Sequence, residues 1–129
     1  AYAECTRVSG GSVMVGVARA GVDPSSLSGG LYDTADGWMY DCGNGARWHN
    51  NRIPPWASGE RQGIKEGETV GLLLRRGSLA VYIQGRRVGV MCTGLSGPLV
   101  WAADLWKSQF ESGGRGSSVR IERRTPPPA

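Results

Sequence analysis

The segment of residues 67–92 constrains the fold more than any other, because three short apolar runs alternate there with two turns that contain glycine. In each run the apolar side chains recur at every second residue, which places them on one face of an extended strand. The residues that share a face are Val70, Leu72 and Leu74 in the first run, Leu79, Val81 and Ile83 in the second, and Val88, Val90 and Cys92 in the third. This alternation predicts a three-stranded antiparallel meander with one buried face.

The rest of the chain predicts further short strands, separated by loops that are rich in glycine, serine, proline and other polar residues. The predicted strands cover residues 2–8, 12–19, 31–32, 38–42, 99–105 and 119–123, and the longer loops cover 20–30, 43–51 and 112–118. Many short strands at such intervals indicate a β-sandwich. The predicted fold class is therefore all-β.

Length and composition favour a single domain. The chain has 129 residues, and its 21 glycines and seven prolines suit a fold with many turns. Five tryptophans and four tyrosines need a core or a partner, which excludes a disordered chain. We expect the domain to span residues 1–124, with a Pro-rich tail or linker over 125–129 that leads into a larger protein.

The three cysteines indicate a reducing environment. An odd number cannot pair completely, and none of them stands in a C-x-x-C pair. A zinc site built from Cys5, Cys42, Cys92 and His49 lacks paired spacing, so no metal or cofactor is expected.

The longest apolar stretch, residues 13–18, is too short to span a membrane. The sequence therefore predicts an intracellular protein of the cytoplasm or nucleus with no membrane partner.

Patterns typical of catalytic sites are mostly missing. The single histidine, His49, cannot be matched in sequence to a nucleophile and an orienting acid. The glycine-rich segments at 16–21 and 113–116 match neither a phosphate-binding loop nor a dinucleotide fingerprint. Asp36 and Asp41 are interpreted as turn-forming acids. We therefore expect no catalytic residues and no enzymatic activity.

The net charge of +4 is distributed over several arginine clusters. Arg75 and Arg76 occupy the first turn of the meander, and Arg86 and Arg87 flank the second. Successive turns of a meander lie at opposite ends of a sheet, so we expect that these pairs cannot merge into one patch. Solvated turns and edges explain such charges, and a surface for acidic or nucleic-acid partners remains the alternative.

Six segments in order resemble the SPRY domain, the core of the B30.2 family, over nearly the whole chain. The matching segments are Tyr2-Ala3-Glu4, Val15-Gly16-Val17-Ala18, Trp38-Met39-Tyr40, Gly67-Glu68-Thr69-Val70-Gly71, Leu79 to Val90, and Val119-Arg120-Ile121. The chain departs from the family pattern at Glu68, which replaces an Asp, and at Gln84, which replaces an Asn. The apolar alternation and the turn glycine survive these changes.

The resemblance implies a bent, concanavalin-like β-sandwich of two antiparallel sheets that works as a protein-interaction module or adaptor. Such a domain binds a short peptide or loop of a partner protein through loops at one side of the sandwich. The expected partner carries an acidic or Asn-rich segment, and the domain is expected to be a monomeric part of a larger protein. An RNA-binding module and a structural domain that docks within its parent protein are the alternatives.

The resemblance also implies which residues contact a partner. Arg19 follows the V-G-V-A segment and borders the pocket, Trp48 before His49 forms a wall, and Leu105-Trp106 supplies the opposite side. Arg19, Arg47 and Asn50 are candidates to pair with acidic or amide side chains of a ligand. For Trp48 an exposed anchor and a residue that packs beneath its loop remain alternatives, whereas Trp38 is expected in the core.

Overall fold

A computed structural model describes residues 1–9, 13–23, 30–50, 63–105 and 118–127. Within these residues the chain forms nine strands and one single-turn 3-10 helix. The strands are β1 (Tyr2–Ser9), β2 (Val13–Arg19), β3 (Gly37–Asp41), β4 (Arg47–Trp48), β5 (Thr69–Arg75), β6 (Ser78–Ile83), β7 (Arg86–Cys92), β8 (Leu99–Leu105) and β9 (Ser118–Arg123), and the 3-10 helix is Leu31–Asp33.

The strands form two antiparallel sheets. One sheet has five strands in the order β7-β6-β5-β1-β9, and the other has four in the order β4-β3-β2-β8. Their inner faces pack against each other, since side chains of both sheets belong to one buried cluster. The predicted all-β sandwich of two antiparallel sheets is therefore confirmed.

Alternating apolar side chains build the core between the sheets. Val15 and Val17 of β2 face Leu72 of β5 and Leu79 and Val81 of β6 within this cluster, and all five are at most 1% exposed. Full burial of one such side chain contributes roughly 1.5–3 kcal/mol. This layer holds the sheets together and leaves the alternate side chains of each strand on the outer faces.

The meander of β5, β6 and β7 is confirmed, but its third strand departs from simple alternation. Leu79 pairs with Cys92, whereas Ala80 pairs with Val90, so Met91 is an extra residue in the ladder. This bulge turns Met91 into the interior at 2% exposure and leaves Val90 38% exposed. The prediction that Val90 shares the buried face is wrong, because a bulge inverts the alternation beyond it.

The segment around Leu31 and Tyr32 was predicted as a short strand and is a 3-10 helix instead. Its first backbone N–H groups donate to Asp104 of β8, from Leu31 to Oδ1 at 2.9 Å and from Tyr32 to Oδ2 at 3.0 Å. The Asp104 carboxylate thereby satisfies the donors that a helix leaves open at its start. It holds the helix against the outer face of the four-stranded sheet, where Leu31 is buried.

The predicted polar loop 43–51 contains the two-residue strand β4. Its residues extend the four-stranded sheet by one edge strand, with Trp48 opposite Met39 and Arg47 opposite Tyr40. The predicted loop 112–118 lies outside the described residues apart from Ser118, which begins β9. The division at residue 124 between domain and linker stays a prediction.

The arginine pairs of the meander require a second correction. Arg75 ends β5, Arg76 follows it in the turn, and Arg87 is the second residue of β7, yet all three line one groove on the outer face of the five-stranded sheet. The strands are so short that Arg75 and Arg87 stand four positions apart, at the levels of Ser78 and Tyr82 of β6. The pairs lie towards opposite ends of the meander, as expected. The expectation that they cannot merge into one patch is wrong for these three residues, because they line the same groove.

The thiols of the core are kept protonated by burial. Cys5 and Cys42 are at most 1% exposed, and burial raises the pKa of each from the ordinary 9.0 to about 12. Burial also raises the pKa of Cys92, to about 11, against the opposing effect of the nearby Arg47 charge. All three cysteines are free thiols.

These raised pKa values predict sensitivity to alkali. The unfolded chain loses its thiol protons from about pH 9, whereas the folded chain keeps them. The free energy of unfolding therefore falls as pH rises, by up to about 1.4 kcal/mol per pH unit for each thiol. The loss ends as pH passes the folded values of about 11 to 12. Urea denaturation under reducing conditions at several pH values measures it. A Cys5→Ala variant must show a shallower pH dependence, and an unchanged slope contradicts the prediction.

Removal of the Asp104 carboxylate is predicted to release the 3-10 helix. Asp104→Ala leaves two partly buried N–H groups without an acceptor and should cost about 1–3 kcal/mol of unfolding free energy. Amide hydrogen exchange at Leu31 and Tyr32 should accelerate more than exchange in the core strands, where the rate reflects only the loss of overall stability. Asp33→Ala removes an exposed acid of the same helix and is the matched control. Equal exchange rates in the two variants would show that Asp104 does not hold the 3-10 helix in place.

Candidate functional site

One end of the β2–β3 hairpin brings Arg19 and Asp36 together. The Arg19 backbone N–H donates to the Asp36 carbonyl oxygen at 2.9 Å, and Arg19 Nε lies 3.4 Å from Asp36 Oδ1. Both side chains are about half exposed, at 48% and 50%, so the ion pair is worth at most about 1 kcal/mol. Its main effect is to orient the guanidinium group.

The indole ring of Trp38 is the platform of this end of the sandwich. Arg19 Cζ lies 5.2 Å from the ring centroid, within range of a cation–π interaction. The His49 ring stacks on the same indole, with centroids 4.5 Å apart and an interplanar angle of 8°. Trp38 is 8% exposed and belongs to the core, as predicted. It therefore joins the core to two of the predicted site residues.

The backbone fixes the tautomer of His49. Its Nδ1 lies 2.8 Å from the Gly37 carbonyl oxygen. A carbonyl oxygen only accepts, so Nδ1 carries a hydrogen and donates it. In the neutral ring Nε2 then has a lone pair and accepts hydrogen bonds.

Hydrogen bonds around Thr34 hold the adjoining loops. The Asn50 N–H donates to the Thr34 carbonyl oxygen at 2.9 Å. Thr34 Oγ1 donates to the Leu31 carbonyl oxygen at 3.0 Å and accepts from the Asp36 N–H at 3.2 Å. Asn50 adopts a φ of +49°, a conformation that Asn tolerates better than most residues. This network positions Asn50, whose side chain is exposed.

Trp48 lies on the outer face of the four-stranded sheet. It is half-buried and meets the Tyr32 ring edge to face, with centroids 5.2 Å apart. It packs there against the apolar cluster that contains Leu31 and Met39. The packing agrees with the loop-packing alternative, and the exposed part of the ring remains open to solvent. Its role in partner binding stays a prediction.

Arg47 points in the opposite direction, towards the five-stranded sheet. Its Nη1 donates to the Met91 carbonyl oxygen of β7 at 3.1 Å, in a partly buried position. The same charge opposes the burial effect on the pKa of Cys92. Arg47 thus links the two sheets and lies apart from Trp48, although the two are adjacent in sequence.

Leu105 lies at the far end of the four-stranded sheet from Arg19. Val13 pairs with Leu105 and Arg19 with Leu99, which separates the two ends by six positions, or about 20 Å of strand. Leu105 is 49% exposed, and Trp106 lies outside the described residues. The structure brings together Arg19, His49 and Asn50, and it does not bring Leu105 to them.

Two acids of this region were not predicted as site residues. Asp36 was interpreted as a turn former, although extending the hairpin register by one position beyond Ala18 and Gly37 places it opposite Arg19. Asp104 is the single charged residue in the strand LVWAADL. An acid in an otherwise apolar strand signals a polar partner, but the sequence does not say which one.

The described residues also lack two other features. They contain no group of three or more His, Cys, Asp or Glu residues placed to hold a metal ion. Among them there is also no helix with the length and hydropathy needed to cross a membrane.

Comparison with known proteins gives one informative result. No protein-family model matches the sequence, and no curated protein matches it. Among solved structures, the SPRY domain of human HERC1 resembles this chain with a TM-score of 0.70 at 17% sequence identity, covering 93% of this chain and 72% of that one. The same family was indicated by the ordered motifs of the sequence. The chain therefore has the fold of a SPRY domain.

Proposed function

We propose that this domain is a non-enzymatic protein-interaction module that binds a short segment of a partner protein. The binding surface is formed by Arg19, His49 and Asn50, and it does not include Trp48, which packs on the outer face of the four-stranded sheet. The single observation that carries the proposal is the Arg19 guanidinium, held half exposed over the Trp38 ring and next to Asp36. The SPRY fold supports the same function at the level of the fold alone.

The chemistry of Arg19 suits an acidic or amide ligand. A guanidinium has five N–H donors in a fixed fork, and Asp36 occupies one side of it at 3.4 Å. Arg19 Nη1 also donates to the Ser96 carbonyl oxygen at 3.5 Å. A partner carboxylate binds the donors that remain after these two contacts without moving the side chain, because Trp38, Asp36 and Ser96 already orient it. Preorganised groups lose little entropy on binding, so more of the contact energy appears as affinity.

Asn50 and His49 add both hydrogen-bond donors and hydrogen-bond acceptors to this surface. The Asn50 side chain is exposed and carries a donor and an acceptor, which match the peptide groups of an extended chain. His49 Nε2 accepts a hydrogen bond in the neutral ring. Together with Arg19 they favour a short extended segment with acidic or Asn side chains.

The three free thiols support a reducing compartment for this interaction. We therefore propose an intracellular adaptor role, with the domain acting as a monomeric part of a larger protein.

The proposal predicts that a double variant, Arg19→Glu with Asn50→Asp, loses its partners. Both side chains are exposed, and Asp tolerates the backbone conformation of position 50, so the fold should persist. Repulsion of an acidic segment should weaken binding at least about tenfold. Affinity capture from cell extract with quantitative mass spectrometry identifies the partners, and titration with the captured segment gives the change in affinity.

Two further variants make the test decisive. Arg123→Glu with Thr125→Asp changes the charge by the same amount at the carboxyl end and should leave binding intact. Leu105→Asp probes the far end of the sheet, and it should also leave binding intact. If Leu105→Asp removes the partners and the Arg19 variant keeps them, the surface around Arg19 is not the binding site.

A further inference from the structure

A groove with an apolar floor and a basic rim lies on the outer face of the five-stranded sheet. It encloses about 530 Å³, its floor is formed by Leu73, Ala80, Tyr82 and Val90, and its rim carries Arg75, Arg76 and Arg87. The three arginines are exposed, and Val90 is 38% exposed because of the bulge in β7. This face belongs to the other sheet from Arg19, so the groove is separate from the surface proposed above.

On this sheet Arg120 and Arg124 have acidic partners, whereas the arginines around the groove of β5 to β7 have none in the described part of the chain. Over β1 and β9, Glu4 lies 3.7 Å from Arg124, and Glu122 lies within 2.9 Å of both Arg120 and Arg124. Over β5 to β7, the described residues offer the rim arginines no acidic partner. An apolar strip with uncompensated positive charge at both ends is therefore open to a ligand of opposite charge.

We propose that this groove binds an extended acidic peptide segment with an apolar side chain between two acids. Arg75 of β5 and Arg87 of β7 flank β6 at the levels of Ser78 and Tyr82. They are thus about 13 Å apart along β6 and about 10 Å apart across it, a diagonal that long arginine side chains can shorten. In an extended peptide, side chains two residues apart point to the same face. The spacing therefore fits the pattern acid-x-apolar-x-acid, with the acids on the arginines and the apolar side chain on Ala80 and Val90.

The floor favours a peptide over a single-stranded nucleic acid. Single-strand binders use aromatic rings as platforms on which bases stack. The one aromatic residue of this floor, Tyr82, is 9% exposed and meets the Tyr2 ring edge to face at 5.7 Å. The accessible part of the floor is aliphatic, which suits a Leu, Ile or Val side chain.

The ligand lies across the face of the sheet, and it does not extend the sheet as an extra strand. The free edge next to the groove is β7, whose register shifts twice against β6. Bulges interrupt the regular row of backbone donors and acceptors that strand addition needs. Affinity therefore depends on the two charge contacts and the apolar contact, and it should fall with added salt.

A fluorescein-labelled peptide with the core Glu-Ser-Leu-Ser-Glu tests the proposal by fluorescence anisotropy at low salt. The variant Arg75→Glu with Arg87→Glu should weaken binding at least about tenfold, since two attractive contacts become repulsive. The control variant Arg86→Glu with Arg123→Glu carries the same net charge, places the changes outside the groove, and should bind nearly as well as the unchanged domain.

Peptide controls separate the pattern from simple charge attraction. In Glu-Leu-Ser-Ser-Glu the apolar side chain faces away from the acids, and in Gln-Ser-Leu-Ser-Gln the charges are removed, so both should bind several times more weakly. Equal binding of the three peptides, or equal loss in both arginine variants, overturns the proposal. Stronger binding of a labelled uridine oligonucleotide through Arg75 and Arg87 also overturns it, in favour of nucleic acid.

Discussion

The apolar layer between the two sheets positions every surface described above. Because side chains alternate along a strand, burying Val15 and Val17 of β2 also determines that Arg19 ends the strand on the inner side, with its guanidinium over the Trp38 ring. The same layer determines which side chains reach the outer faces. Trp48 packs on the outer face of the four-stranded sheet, and Arg75, Arg76 and Arg87 line the groove on the outer face of the five-stranded sheet. Surface residues at the periphery can therefore change without changing the layer that holds them.

Local patterns were enough to predict most of the fold from the sequence. The meander, the two-sheet sandwich and the core position of Trp38 follow from alternation of period two, from turn glycines and from the order of short motifs. The same alternation failed at Val90, because a bulge depends on how two strands pair. It failed at Leu31, because the helix there depends on a carboxylate 73 residues away in the chain.

The candidate site was harder to predict for the same reason. Arg19, His49 and Asn50 are brought together by contacts with Trp38, Gly37 and Thr34, which no spacing along the chain reveals. Arg47 and Trp48 are neighbours in sequence, yet a strand sends them to opposite faces of the sheet. Resemblance to a family supplied candidate positions, and the pairing of strands decided which of them share a surface.

The hydrogen bonds between the Asp104 carboxylate and the 3-10 helix have a consequence for the order of folding. Contacts between distant parts of a chain form late, since their loop-closure entropy must be overcome first. We therefore expect the helix and the loop that carries Thr34 and Asp36 to reach their final form only after β8 has joined β2. A chain that is still being synthesised has neither Asp104 nor the finished surface around Arg19 until most of the domain has left the ribosome. We thus expect the surface around Arg19 to form only in a chain that already includes β8.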